Sequence, residues 1–287
     1  MSIAPIREDI RAEVPPAKHG QWNAATIGRF WENYGTSTDL RSEYFTYQVG
    51  NGIVGFLTFA DRLRPGMLVL DYGCGPGFLI EKLLAKNVRC HGLENSPKAV
   101  ELVNQKFHNN PNWMGAKEVR EPPAPFPDKS FDVITCLETL EHLLDDRLSV
   151  VVKEIHRLLK PGGVALFTTP NNEDLMRSHV YCPFCETSFH RVQHVRSFSE
   201  STMRAFLESN GFRTLFCRGI NFDAFQRRPS LRKWQDLSLR EVGKWIRSRT
   251  NVLLDRIVAK PFPQGRDFSS RLKDGDWHLC ALVGRCE

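Results

Sequence analysis

Apolar positions along the chain change their period near residue 67. Before it, residues 1–20 are polar, contain Pro5, Pro15 and Pro16 and show no period, which predicts a flexible arm. Residues 21–63 carry aromatics such as Trp22, Trp31, Tyr34, Tyr44 and Phe56 at spacings that suit two or three short helices, so this stretch reads as a helical cap. From Met67 short apolar runs alternate with amphipathic stretches. The pattern predicts strands at 67–71, 89–93, 131–136, 163–168 and 212–219, with helices at 77–86, 97–107, 146–159 and 199–209 between them. Such alternation calls for a parallel, doubly wound α/β sheet with right-handed crossovers. Residues 277–285, WHLCALVGR, read as a final strand antiparallel to its neighbour. The segment 221–275, with a helix expected at 236–258, then becomes an insertion, and 64–287 form one domain.

The first of these strands leads into a turn with chemistry in it. In MLVLDYGCGPGFLIEKLL, Asp71 ends an apolar strand, where open α/β sheets bind ligands, and Gly73, Gly75 and Gly77 follow at alternate positions. Without a Cβ these residues let the backbone turn tightly and let a ligand lie against it, next to a helix amino terminus. Glu94 ends the next strand about 20 residues on, where an acid can hold both hydroxyls of a ribose. Downstream, the spacing of Glu138, Glu141 and His142 places all three on one face of a helical turn at the mouth of the cleft.

DYGCGPG, then GLEN, then PFPDKSFDVITCLETLEHL, then LLKPGGVALFTTPN resemble the ordered motifs of class I S-adenosylmethionine-dependent methyltransferases over roughly residues 65–220. The resemblance implies a Rossmann-like, doubly wound seven-stranded sheet with an antiparallel last strand. It also implies cofactor roles for Asp71, Gly73, Gly75, Gly77 and Glu94, and a place for Leu137 at the border of the transfer site. The segment that in this family often offers an Asp to the adenine reads Gly115-Ala116-Lys117-Glu118, a departure that leaves a backbone amide to serve. A dinucleotide oxidoreductase would need a third glycine where Ile80 stands.

The acceptor side is more open. E-x-x-E-H at 138–142 resembles ubiquinone-pathway catechol methyltransferases and small-RNA terminal 2'-O-methyltransferases, which use a divalent cation to orient and acidify hydroxyls. That resemblance implies a metal set of Glu138, Glu141, His142 and His194, with Mg²⁺, Zn²⁺ or Mn²⁺ allowed by mixed oxygen and imidazole donors. It makes Glu141, His142 and His194 the candidate catalytic residues. Without metal, the same carboxylates are solvated and His142 bonds backbone. His190 and His194 come from FHRVQHVRSFS, before a helix whose start is marked by Ser197 and Glu200 at capping-box spacing. They also complete a second metal pattern: Cys182, Cys185, His190 and His194 form C-x2-C-x4-H-x3-H, a knuckle-like spacing for structural zinc. The alternative is a loop with two free thiols.

Charge and cysteine content narrow the partners. The net charge of +6 is accounted for by residues 221–275, where thirteen Lys/Arg stand against six Asp/Glu, so the rest of the chain is nearly neutral. Eight cysteines, mostly scattered through apolar segments, read as free thiols, and no signal-peptide run or apolar stretch of membrane-spanning length occurs, so a cytoplasmic location is expected. The leading expectation is O-methylation of a small metabolite or glycan. RNA 2'-O-methylation, held by the basic segment, is the second; a catalytically silent methyltransferase-like binding subunit is the third, separable by calorimetry with the cofactor.

Overall fold

The computed structural model describes residues 18–20, 22–37, 39–226 and 278–286. The helix expected at 236–258 lies outside them. Among the described residues no helix is long and apolar enough to cross a membrane.

Seven strands form the main sheet: β2 (Leu68–Tyr72), β3 (Arg89–Glu94), β4 (Trp113–Glu118), β5 (Phe131–Leu137), β6 (Leu159–Pro170), β9 (Phe212–Ile220) and β10 (His278–Arg285). Their spatial order is β4-β3-β2-β5-β6-β10-β9, and β10 runs antiparallel to both β6 and β9. The expected seven strands and antiparallel last strand are both present. Between them run α3 (Phe78–Leu84), α4 (Pro97–Phe107), α5 (Asp145–Leu158) and α6 (Glu200–Ser209), within a residue or two of the expected helices.

Side chains alternate across the strands, as a pleated sheet requires. Val69, Val133, Leu166 and Leu282 face one layer with Leu79, Ile80 and Leu83 of α3. Leu70, Ile134, Phe167 and Val283 face the other with Val152 and Ile155 of α5 and Met203 and Leu207 of α6. Both faces are buried, which is why these strands read as near-continuous apolar runs.

The segment expected as a cap contains α1 (Ala24–Thr36), a 3-10 turn at Arg41–Glu43 and α2 (Phe45–Phe59). These differ in role. Helix α2 buries Ile53, Val54, Phe56 and Leu57 in the first layer, and Gly52 lies so close to Phe222 that a Cβ there would sit 2.2 Å from its carbonyl oxygen. Helix α1 buries no residue completely and touches the residues that follow β3 and β5, through Glu32 to Ser96 and Trp31 to His142. Part of the expected arm is ordered: β1 (Lys18–His19) pairs parallel with β8 (Thr187–His190), which pairs antiparallel with β7 (His179–Cys182). This three-stranded sheet occupies the stretch expected as a loop, because its strands are too short and polar to carry a period.

Candidate active site

In the main sheet the chain leaves β2 on one side of the sheet and β5 on the other, and this divide is where an open α/β sheet presents its ligand cleft. Asp71, nearly the last residue of β2, is 3% exposed and accepts the hydroxyl of Thr135 at 2.7 Å. Burial, opposed by that hydrogen bond, lifts its carboxyl to about 7. The glycine turn follows with left-handed backbone at Gly73, Gly75 and Gly77. At Gly77, the residue preceding α3, φ is +75° and an added Cβ would meet Val103 at 2.6 Å and Phe107 at 2.7 Å, so α4 closes directly on the turn.

Glu94 ends β3 beside this turn. Its carboxylate accepts N–H groups from Gly75 and Asn95, each at 2.8 Å, and from Ser96 at 3.2 Å. Burial pushes its pKa up while those three N–H groups pull it back. Ser96 Oγ in turn donates to Glu32 of α1 at 2.5 Å, tying the cap to the edge of the cleft. The turn carries no side chain at Gly73, Gly75 and Gly77, and its glycine N–H groups are held by the Leu93 and Cys74 carbonyls and by Glu94. This bare backbone beside an acid at the end of the adjacent strand fits an adenosyl cofactor. Gly115–Glu118 lie in β4, where Ala116 exchanges two hydrogen bonds with Asn104 of α4. Leu137 closes β5 at the cleft and is buried.

Beyond Leu137 the expected single helical face does not form. Glu138 takes a left-handed φ of +44°, and the helical turn that follows is a 3-10 turn spanning only Leu140–His142. That break in phase sets Glu138 beside His278, whose Nδ1 lies 3.5 Å from its carboxylate. Glu138 therefore does not join the cluster assigned to it; the group that forms is Glu141, His142 and His194, with one ligand atom of each within 4.8 Å of the others. The segment bearing His194 is fastened to this turn by the Val195 N–H to the Glu141 carbonyl (2.9 Å) and by Arg196, which donates to the carbonyls of Leu140 and Leu143.

Glu141 Oε1 stands 3.9 Å from His142 Nε2 and 4.0 Å from His194 Nε2, and neither oxygen of this 1%-exposed carboxylate has a hydrogen-bond partner. Burial, with the nearby Glu138 charge, raises the Glu141 pKa well above its ordinary value. The imidazole tautomers follow from what their other nitrogens meet. His142 Nδ1 lies 3.3 Å from the Gln193 carbonyl, which only accepts, so Nδ1 carries the proton and Nε2 is bare. Burial and the neighbouring His194 hold its pKa down at about 3, so the ring is neutral.

His194 Nδ1 lies 2.5 Å from Glu173 Oε2, and His190 Nε2 is 3.3 Å from Glu173 Oε1. Burial pushes the Glu173 carboxyl up, but the two histidines outweigh it and bring the group down to about 2. Glu173 was not singled out from the sequence: its partners lie 17 and 21 residues away, and no local spacing marks them.

The zinc pattern is not assembled. Cys182 pairs with Thr187 across the β7–β8 hairpin, whereas His190 pairs with His179 at its other end. Three residues of strand separate the two, about 10 Å, while zinc ligands must all lie within about 2.0–2.3 Å of the ion. His190 and His194 are instead turned to Glu173, and both thiols are free.

Aromatic residues of α1 roof the cluster. The Trp31 ring packs edge-on against His142 with centroids 4.6 Å apart, and its Nε1–H donates to Gln193 Oε1 at 2.8 Å. Tyr34, Tyr44 and Phe78 continue the row back to the glycine turn.

Numbered along the chain, the main sheet runs 3-2-1-4-5-7-6, and a sheet wound this way with its cleft at the 1–4 divide is the architecture of class I S-adenosylmethionine-dependent methyltransferases. Residues 52–215 match the family described as "Methyltransferase domain". As that match takes in more than half of the sequence, the chain belongs to this family, which implies S-adenosylmethionine as methyl donor. A ubiquinone biosynthesis O-methyltransferase of Thiobacillus denitrificans is 33% identical over 152 residues, covering 52% of this chain and 64% of that protein. One from Pseudomonas syringae pv. tomato is 36% identical over 108 residues, 37% of this chain and 45% of that protein. The match thus spans less than two thirds of either relative. Among solved structures, an S-adenosylmethionine-dependent methyltransferase from Clostridium acetobutylicum superposes with a TM-score of 0.54 at 14% identity, over 91% of this chain and 100% of that one, a likeness of fold.

Proposed function

We propose that the chain methylates a hydroxyl of a small metabolite or glycan, and that Glu141, His142 and His194 hold a divalent cation that serves this reaction. The observation that carries the proposal is the composition of the cluster. Two bare imidazole nitrogens and an unpartnered carboxyl face one another in a buried site, and once Glu141 ionises they are three acceptors with no donor among them. Such an arrangement is repulsive unless a proton or a cation sits inside it. Oxygen plus two imidazoles suits Mg²⁺, Mn²⁺ or Zn²⁺.

Methyl transfer from a sulfonium is an in-line displacement, so the acceptor oxygen must be held against the methyl group and must lose its proton. A cation in the cluster would supply orientation and acidification of that hydroxyl. With the ion bound, the Nε2 lone pairs would serve as ligands and the acidified hydroxyl would give its proton to solvent. Without it, the bare Nε2 of His142 or His194 can take that proton, under the Trp31 ring that packs on His142. The two O-methyltransferases among the relatives support oxygen as the acceptor atom.

Incubating a metabolite extract with isotope-labelled S-adenosylmethionine and following the label by mass spectrometry reports the acceptor. Repeating the reaction after chelation tests the cation: activity is expected to fall and to return on adding Mg²⁺, Mn²⁺ or Zn²⁺. Full activity in chelator would overturn the metal assignment.

A further inference from the structure

The proposed cation set accounts for only one ring nitrogen of His194. The other faces Glu173, which lies just beyond β6 and is anchored independently of the cluster: the Asn172 N–H donates to the Phe198 carbonyl at 2.9 Å, and Asn172 itself takes a left-handed φ of +51° that turns the chain inward. Behind Glu173 stands His190, 1% exposed, whose Nδ1 accepts the backbone N–H of His194 at 3.0 Å and that of Val192 at 3.4 Å. With Nδ1 occupied as an acceptor, a neutral His190 carries its proton on Nε2, the atom 3.3 Å from Glu173 Oε1. The segment 190–194 is thus wound around the His190 ring, and the two Glu173 oxygens are divided between two imidazoles.

A carboxylate can only accept, so the nitrogen of His194 at 2.5 Å from Glu173 Oε2 must be Nδ1–H. We propose that Glu173, with the His190 ring behind it, is a positioning residue that locks His194 in the Nδ1–H tautomer and keeps the Nε2 lone pair aimed at Glu141. His142 shows the contrast, since its Nδ1 faces only a backbone carbonyl at 3.3 Å. A carboxylate behind an imidazole raises the basicity of the far nitrogen more than a neutral carbonyl does. His194 is therefore the stronger ligand and the stronger proton acceptor of the pair, and His142 the weaker. The division of labour rests on the reading of Glu141, His142 and His194 as the reactive cluster; the tautomer lock does not.

The test is long-range ¹H–¹⁵N correlation spectroscopy on the metal-free full chain carrying ¹⁵N-histidine, which reports the protonated nitrogen of each ring. Wild type is expected to show His194 protonated on Nδ1 and bare at Nε2. Glu173→Gln, which keeps size and removes charge, should mix the tautomers, and Glu173→Asp should restore the wild-type pattern in part. Titration with Mn²⁺ should show affinity falling 10- to 100-fold in Glu173→Gln, with S-adenosylmethionine binding by calorimetry unchanged. A His194 ring protonated on Nε2 in wild type, or a tautomer indifferent to Glu173→Gln, would overturn the proposal. If the tautomer follows Glu173 while Mn²⁺ binds neither protein, the positioning role stands and the cation reading falls.

Discussion

Glu141→Gln should make the metal-free protein more stable while abolishing its chemistry. The wild-type carboxylate is buried with both oxygens unpartnered, and its pKa in the folded state is raised above the ordinary 4.5. Over pH values between 4.5 and the folded pKa, the folded state keeps a proton that the unfolded chain has released, so stability falls as pH rises through that window. At pH 7 the loss is bounded by the 2.5 units above the ordinary value, about 3.4 kcal/mol. An unsatisfied buried polar group costs about 1–3 kcal/mol by a separate route. Glutamine removes the ionisation and its amide can donate toward the bare Nε2 atoms, which lie 3.9 and 4.0 Å from the present oxygen. Urea unfolding in chelator should therefore show the variant about 1–3 kcal/mol more stable at pH 7, with the difference shrinking as pH falls to 4.5. With Mn²⁺ in excess the order should reverse, since only the wild type gains binding energy from the ion. A variant less stable than wild type at pH 7 in chelator would refute the all-acceptor description of the cluster.

Gly77→Ala should cost about 2–5 kcal/mol, combining left-handed strain of about 1–2 with overpacking of about 1–3 against Val103 and Phe107. Thermal unfolding measures it, and a shift under 1 kcal/mol would contradict the contact. Asp71 should titrate near pH 7 in the cofactor-free protein. Thr135→Val, which removes the hydrogen bond that lowers that pKa, should move it higher, as ¹³C NMR of the carboxyl would show. Trp31→Phe deletes one donor to Gln193 and should lower stability by about 1 kcal/mol. Its larger effect is expected in KM for the acceptor. Replacing Cys182 and Cys185 together by serine should leave both the metal content of purified protein and its turnover unchanged, because neither thiol joins the cluster; stoichiometric zinc lost in that variant would reinstate the knuckle.

What the sequence disclosed depended on burial and on distance along the chain. Strands β2, β5, β6 and β10 are buried on both faces and so announce themselves as apolar runs. Strand β4 lies at the sheet edge with only Ala116 buried, and its WMGAKE carries no period to read. The cofactor cradle was legible because its parts are neighbours: Asp71 and three glycines fall within seven residues, and Glu94 follows at the length of one helix and one strand. The acceptor side was only half legible. A helical phase was assumed through residues 138–142, and a single left-handed residue, Glu138, cancels it. His190 and His194 are legible as candidate ligands, and His194 does meet Glu141 and His142, but the carboxylate between the two rings comes from another loop. No spacing in the sequence therefore points to Glu173, and the alternative pairing with Cys182 and Cys185 rests on nearness along the chain alone.

The position of β10 has a consequence for how the protein is made. This strand, though it follows β9 in the chain, lies between β6 and β9, pairing with one edge of β6 and with the single paired edge of β9. During synthesis β9 emerges first and finds no partner in the sheet. At about 5–20 residues per second, several seconds pass before His278–Arg285 are available. Through that interval Phe212, Phe216 and Ile220, all buried in the finished protein, belong to an unpaired strand next to an open sheet edge. Nascent chains released in that interval should be the ones that aggregate or engage chaperones, and a transplanted copy of 278–285 offered in trans has a ready-made slot to fill.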